Sequence, residues 1–229
     1  MVRKIMTEKE KRKRKKRRIF IFLFLFLVLG GLGFFMYEYV YKKANPKVQE
    51  AKEIDKVETK NYDYKYSLTD LDSKYYQAEF KNLKEILMKD EVDEEAYATQ
   101  LAKCFVIDLY TLSTKVNKYD IGGEEFFYSD KKDEYAKQVM NTLYDAMLDN
   151  SYKDRKQNLP EVKEATVNSV EKMTYKLGNT GHDAYQVKIN ITYVADLGAD
   201  KEVTVVLVKE EDGKKFGVVD VQNTFNPKY

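Results

Sequence analysis

Cysteine occurs once in this chain, at Cys104, so no intramolecular disulfide can staple it. Histidine also occurs once, as His182 in the polar stretch GNTGHDAY. A Ser-His-Asp or Cys-His mechanism would have to run through that turn-like position. A zinc site would have to fill three or four ligand positions from one thiol and one imidazole. Phosphate-cradling glycine loops are missing as well, because the Gly122-Gly123 pair lacks both the further glycines and the helix-opening spacing of GxGxxG or GxxxxGK[ST]. Acidic clusters at Asp90 to Glu95, Asp196 to Asp200 and Glu210 to Asp212 lack the alternating oxygen ligands of a calcium loop and read as solvated turns. The reading therefore assigns no catalytic residue, no cofactor and no metal.

Arginine is scarce in one part of the chain and concentrated in another. Residues 1 to 18 hold 11 Lys/Arg against 2 Glu, a charge of +9, and subtracting that from the formal +2 of the chain leaves −7 for the remainder. Outside this tail the only arginine is Arg155. A nucleic-acid binder carries its positive field on the folded surface, where it neutralises phosphates. Here the folded part would repel a phosphate backbone, so nucleic acid is excluded as a partner.

The basic run KRKRKKRR ends at Arg18, and the next 19 residues, Ile19 to Tyr37, contain no charge. At 1.5 Å per residue this run matches a hydrocarbon core of about 30 Å. Tyr37, Tyr39 and Tyr41 follow as an interfacial aromatic belt, and Lys42-Lys43 stop the segment. The positive-inside rule then predicts a single-pass membrane protein with residues 1–18 in the cytoplasm, a transmembrane helix over 19–41 and the remainder extracytoplasmic. The apolar run is too long for a cleaved signal peptide, and no small-x-small cleavage site follows it.

Residues 42–66 are charged and read as a stalk, with Asn45-Pro46 opening a short helix that runs to about Lys60. Val48, Ala51, Ile54 and Val57 recur every third residue, a spacing that would suit weak self-association into a homo-oligomer, although a solvated linker is the simpler reading. Tyr62, Tyr64 and Tyr66 alternate with polar residues, as one face of an extended segment does, and would lay the stalk onto the domain.

Residues 67–229 read as one extracytoplasmic α+β domain. Helical periodicity predicts helices from about Leu71 to Lys89, capped near Thr69 or Asp70, from Asp93 to about Asn117, and from Lys131 to Leu148. The aromatic segment EEFFY leads into the third. Strands follow at about Glu164 to Tyr175, Ala184 to Ala195, Glu202 to Glu210 and Lys215 to Phe225, with turns at Gly178-Asn179, Gly198 and Asp212-Gly213. No long crossover separates them, so the sheet is mainly antiparallel.

This order of three helices and then four strands, behind a membrane anchor, resembles the nuclear transport factor 2-like cone fold. Within that fold it is similar to the extracytoplasmic VirB-type assembly factor of type IV secretion and conjugation systems. FVIDLYTLSTKV (Phe105 to Val116) and DIGGEEFFY (Asp120 to Tyr128) also look like segments of uncharacterised bitopic membrane proteins of Gram-positive bacteria. The resemblance implies a non-enzymatic interaction or assembly module in a conjugation-like or envelope complex. Its alternative is an extracytoplasmic cup for a small ligand, and an envelope enzyme built on Asp108 ranks third.

Asp108 stands four residues after Cys104 and four before Leu112, on an otherwise apolar helical stripe. A carboxylate there needs a partner. Arg155, a lysine or a tyrosine hydroxyl could supply it, and the lone Arg155 is the favoured candidate, since a guanidinium holds a carboxylate bidentately and tolerates an interface. Asp108 and Arg155 are therefore expected to form a structural or pocket pair.

Overall fold

The computed structural model describes residues 52–59 and 62–223. The basic tail, the apolar run 19–41 and residues 42–51 of the expected stalk lie outside the described residues. Among the described residues, no helix is long and apolar enough to cross a membrane.

The first described element corrects the helical stalk. Residues Glu53–Glu58 form strand β1, which pairs antiparallel with β2 (Asp63–Thr69). Tyr64, Tyr66 and Leu68 alternate inward on β2, as the tyrosine spacing suggested, and so offer β1 an apolar base. Val57 is wholly buried on that base, whereas Ile54 is 52% exposed, so the every-third-residue stripe does not exist here. Tertiary contact has overridden a weak local helix preference.

Three helices follow. Helix α1 (Lys74–Leu87) starts later than expected, because Ser73 caps it by accepting the Tyr76 amide at 3.1 Å. Tyr76, Phe80, Leu83 and Leu87 form its buried stripe. Helix α2 (Glu94–Tyr110) is capped by Asp93, which accepts the Glu95 and Ala96 amides. It stops at Tyr110, well short of Asn117, and Leu112–Thr114 form a 3-10 turn. Helix α3 (Lys132–Asn141) ends where Thr142 leaves helical geometry. Its apolar pattern nevertheless continues through Leu143, Tyr144 and Met147, which stay buried in consecutive turns.

The strands β3 (Val162–Leu177), β4 (Thr180–Tyr193), β5 (Glu202–Lys209) and β6 (Phe216–Asn223) form one antiparallel sheet in the order β3-β4-β5-β6. The chain is thus α+β, with a four-stranded antiparallel sheet and a separate hairpin of β1 and β2. Alternation on β4 and β5 sends Val187, Ile189, Val203, Val205 and Leu207 to the face that meets α2. The Tyr66 and Tyr97 hydroxyls bond each other at 2.7 Å, and Tyr97 accepts the Phe216 amide at 3.3 Å, tying β2, α2 and β6 together. Between helices and sheet, Tyr97, Phe105, Tyr185 and Phe216 belong to one buried core.

The segment after Gly123 explains how EEFFY is used. Glu124–Phe126 make a 3-10 turn, and Phe127 forms a parallel bridge with Val218. A Cβ on Gly217 would lie 2.6 Å from the Tyr128 Cα, so only glycine allows this close approach.

Candidate ligand cleft

Shortening of α2 opens a polar cleft of about 270 Å³ at its C-terminal end. Its walls come from β2 (Ser67, Thr69), the entry to α1 (Leu71, Asp72, Tyr76), Asp108 near the end of α2, the loop from Thr114 to Glu125, and Lys132. At this size it lies just below the usual range for small-molecule sites.

Asp108 lies in this wall, and its partners differ from the expected one. One oxygen takes the Lys115 ammonium and the other accepts the Gly123 amide at 2.6 Å. Burial pulls the Lys115 ammonium toward losing its proton, but the Asp108 charge and hydrogen bond outweigh it and hold the ammonium above its ordinary range. The glycines are required at this spot. A Cβ on Gly122 would sit 2.2 Å from the Asp108 carbonyl oxygen, and Gly123 has φ +71° with Phe105 packed against it. Gly122 also donates its amide to the Tyr144 hydroxyl, which in turn donates to the Leu109 carbonyl. The loop is therefore clamped onto the last turn of α2.

Arg155 does not meet Asp108. Its guanidinium donates to the carbonyl oxygens of Ser113, Lys115 and Leu148, at 3.0, 3.0 and 3.2 Å. Ser113 lies in the 3-10 turn after α2 and Lys115 directly follows it, so the arginine ties that turn to the segment around Leu148. Asp108 and Arg155 touch the same residue, Lys115, one at its ammonium and the other at its carbonyl.

Five carboxylates line the cleft: Asp108 and Glu124 are paired with Lys115 and Lys132, and among the described residues Asp72, Asp120 and Glu125 make no ion pair. Asp72 accepts the Thr69 amide (2.6 Å) and hydroxyl (2.9 Å) through one oxygen. Burial first, and then the Asp108 charge, push the Asp72 carboxyl above the usual carboxylate range. Glu125 accepts the Ser67 amide at 2.9 Å through one oxygen. Burial pushes Glu125 up to about 8, with Asp108 and Asp72 adding to it and the Ser67 bond and Lys215 opposing it. Lys215 gives its hydrogen bond to the backbone carbonyl of Glu125 rather than to the carboxylate. Tyr76, only 2% exposed, lines the same cleft, and among the described residues no hydrogen bond to its phenol oxygen is found. Burial and the charges of Asp108 and Glu125 keep that phenol protonated.

Chemically this arrangement accepts hydrogen bonds and positive charge. Among the described residues, no group of three or more His, Cys, Asp or Glu is placed to hold a metal. His182 sits on β4 next to the β3–β4 turn, apart from the cleft, and Cys104 is buried in α2 with burial holding its thiol protonated. Asp72, Tyr76, Lys115 and Glu125 escaped the sequence reading. Glu125 had the most legible signal, a carboxylate directly before three aromatics. Comparison of the chain with protein-family models, curated proteins and solved structures found no match.

Proposed function

We propose that this protein is a membrane-tethered, non-enzymatic recognition module that holds a small polar ligand in the Tyr76 cleft on the extracytoplasmic side. The observation that carries the reading is the Tyr76 side chain, only 2% exposed, lining a cleft in which Asp72 and Glu125 make no ion pair among the described residues and are both pushed above the usual carboxylate range. A ligand that brings donors into the cleft would use the acceptor oxygens that Asp72 and Glu125 leave over. The tether rests on the +9 tail and the uncharged run that follows it. The likeness to a cone-shaped fold belongs to the proposal and rests on element order alone, since the cleft lies beside α2 and not between sheet and helices.

Thermal unfolding of the full chain in detergent micelles, against a panel of polar small molecules, tests the cleft. At least one is expected to raise the midpoint, and Thr114→Trp, which fills the opening, is expected to abolish the effect. Equal stabilisation of Thr114→Trp, or none by any compound, contradicts the cleft reading. Protease added to intact cells is expected to remove the folded domain and spare the tail. A domain recovered from the medium with its start after Tyr41 contradicts the anchor.

One observation favours the assembly reading as a second. β3 is an edge strand of 16 residues, exposed over most of its length, with Met173 36% exposed near its far end. An edge of that length is a template for strand addition by a second copy or an envelope partner, and Lys172 and Lys176 are the charges that would guard it. Crosslinking through a cysteine at Thr174 on cells separates the two readings, since the cleft reading expects no adduct.

A further inference from the structure

Resting on the cleft reading, we propose that the ligand presents a primary ammonium group, held by Asp72, Glu125 and the phenol oxygen of Tyr76. An ammonium has three donors and no acceptor. Each of the three residues has an acceptor left over: Asp72 and Glu125 use one carboxylate oxygen internally, and no hydrogen bond to the Tyr76 oxygen is found among the described residues. Asp108 is already paired with Lys115 and Glu124 with Lys132, whereas Asp120, like Glu125, accepts a backbone amide, that of Val116 at 2.7 Å, and makes no ion pair among the described residues. What is unmatched is therefore negative. A neutral polyol would supply donors but no positive charge to favour the ionised form of Glu125 beside Asp72 and Asp108. A divalent cation wants six or more oxygens, which these groups do not surround. The volume of about 270 Å³ suits an amine of a few carbons, not a chain polymer.

Binding should be linked to protons through Glu125. The groups facing it are Asp72, Tyr76, Tyr66, Cys104, Asp108 and Lys215. Only Lys215 among them is cationic, and it lies on the backbone side of Glu125. In the free cleft Glu125 keeps a proton up to about pH 8. An arriving ammonium favours the charged carboxylate and expels that proton, so affinity rises with pH toward 8 and then levels.

Calorimetric titration of the full chain in micelles with n-butylamine tests this, with n-butanol as the neutral isostere and glucose as a polyol. The amine stays protonated throughout, like a lysine side chain of pKa about 10.4. Butylamine is expected to bind roughly tenfold more tightly at pH 8.5 than at pH 6.5, with proton release at the lower pH. Tyr76→Phe, which keeps the ring packed, and Asp72→Asn are each expected to weaken binding about tenfold. Butanol is expected not to bind. Binding of butanol as strong as that of butylamine, or of glucose alone with loss in Thr114→Trp, overturns the ammonium and leaves the cleft reading standing. No binding of any of the three overturns the ammonium, and the wider panel decides the cleft. Butylamine affinity unchanged in both variants overturns the assignment of Asp72 and Tyr76.

Discussion

Helix α2 takes part in two lysine–carboxylate pairs, one at its middle through Lys103 and one near its C-terminal end through Asp108, and the two are built to opposite effect. At the first, Glu79 of α1 receives the Lys103 ammonium at 2.9 Å, the Gln100 amide at 2.9 Å and the Asn82 amide at 3.2 Å. Burial works against the Glu79 carboxylate, yet these donors outweigh it and hold it below its usual range. At the second, the Asp108–Lys115 pair is balanced, but Asp72 and Glu125 crowd beside it and are both pushed up. The first site has more donors than it needs, and the second has fewer. A donor-saturated carboxylate joins two helices, whereas a donor-starved group of them is held in place by the rest of the fold and left open to an outside partner.

Removing the lysine should separate the two most sharply. Lys115→Met leaves Asp108 buried among like charges, and chemical denaturation is expected to show a loss of about 3–5 kcal/mol. Lys103→Met leaves Glu79 buried but still held by the Gln100 and Asn82 amides, and the expected loss is smaller, about 1–2 kcal/mol. Equal losses would erase the contrast. Gly122→Ala comes next, at about 2–3 kcal/mol, because its Cβ would collide with the backbone of Asp108 and lift the clamping loop.

The pH responses should then have opposite signs. Glu125 binds its proton more tightly folded than unfolded, so the folded state loses relative stability as pH rises from about 4.5 to about 8. Glu125→Gln is expected to leave the thermal midpoint unchanged near pH 4 and to stabilise by about 2 kcal/mol at pH 8.5. Glu79 is depressed, so its contribution is present above the ordinary carboxylate range and disappears as pH falls through its folded value. Glu79→Gln is expected to destabilise at pH 7 and to match the parent in acid.

The smallest effect concerns the two residues singled out from the sequence. A double-mutant cycle on Asp108 and Arg155 is expected to give coupling below about 0.5 kcal/mol, because the arginine holds carbonyls and not the carboxylate. Strong coupling there would mean that Lys115 transmits more than its two separate contacts suggest.

Periodicity carried most of the fold. The buried stripe of α2, the alternation on β4 and β5 and the glycine turns at Gly178 and Gly213 were all legible, since each is a local pattern. What failed was non-local. Strand β1 exists because β2 offers Val57 a base, and α2 ends at Tyr110 where Gly122, Tyr144 and Arg155 converge from distant parts of the chain. The site followed the same rule. Asp108 was visible as a charge on an apolar stripe, but its partner Lys115 lay in what the pattern treated as one more helical turn. Asp72 and Glu125 looked like ordinary polar residues until folding placed them around Tyr76.

The most direct test is the titration of the Glu125 carboxyl carbon by NMR in the full chain, without and then with n-butylamine. The account expects a midpoint of about 8 in the free protein, falling as the amine saturates the cleft. A midpoint near the ordinary value of about 4.3 in the free protein would contradict it, because Glu125 would then already be stabilised as a carboxylate without the amine and would have no proton to give up on binding.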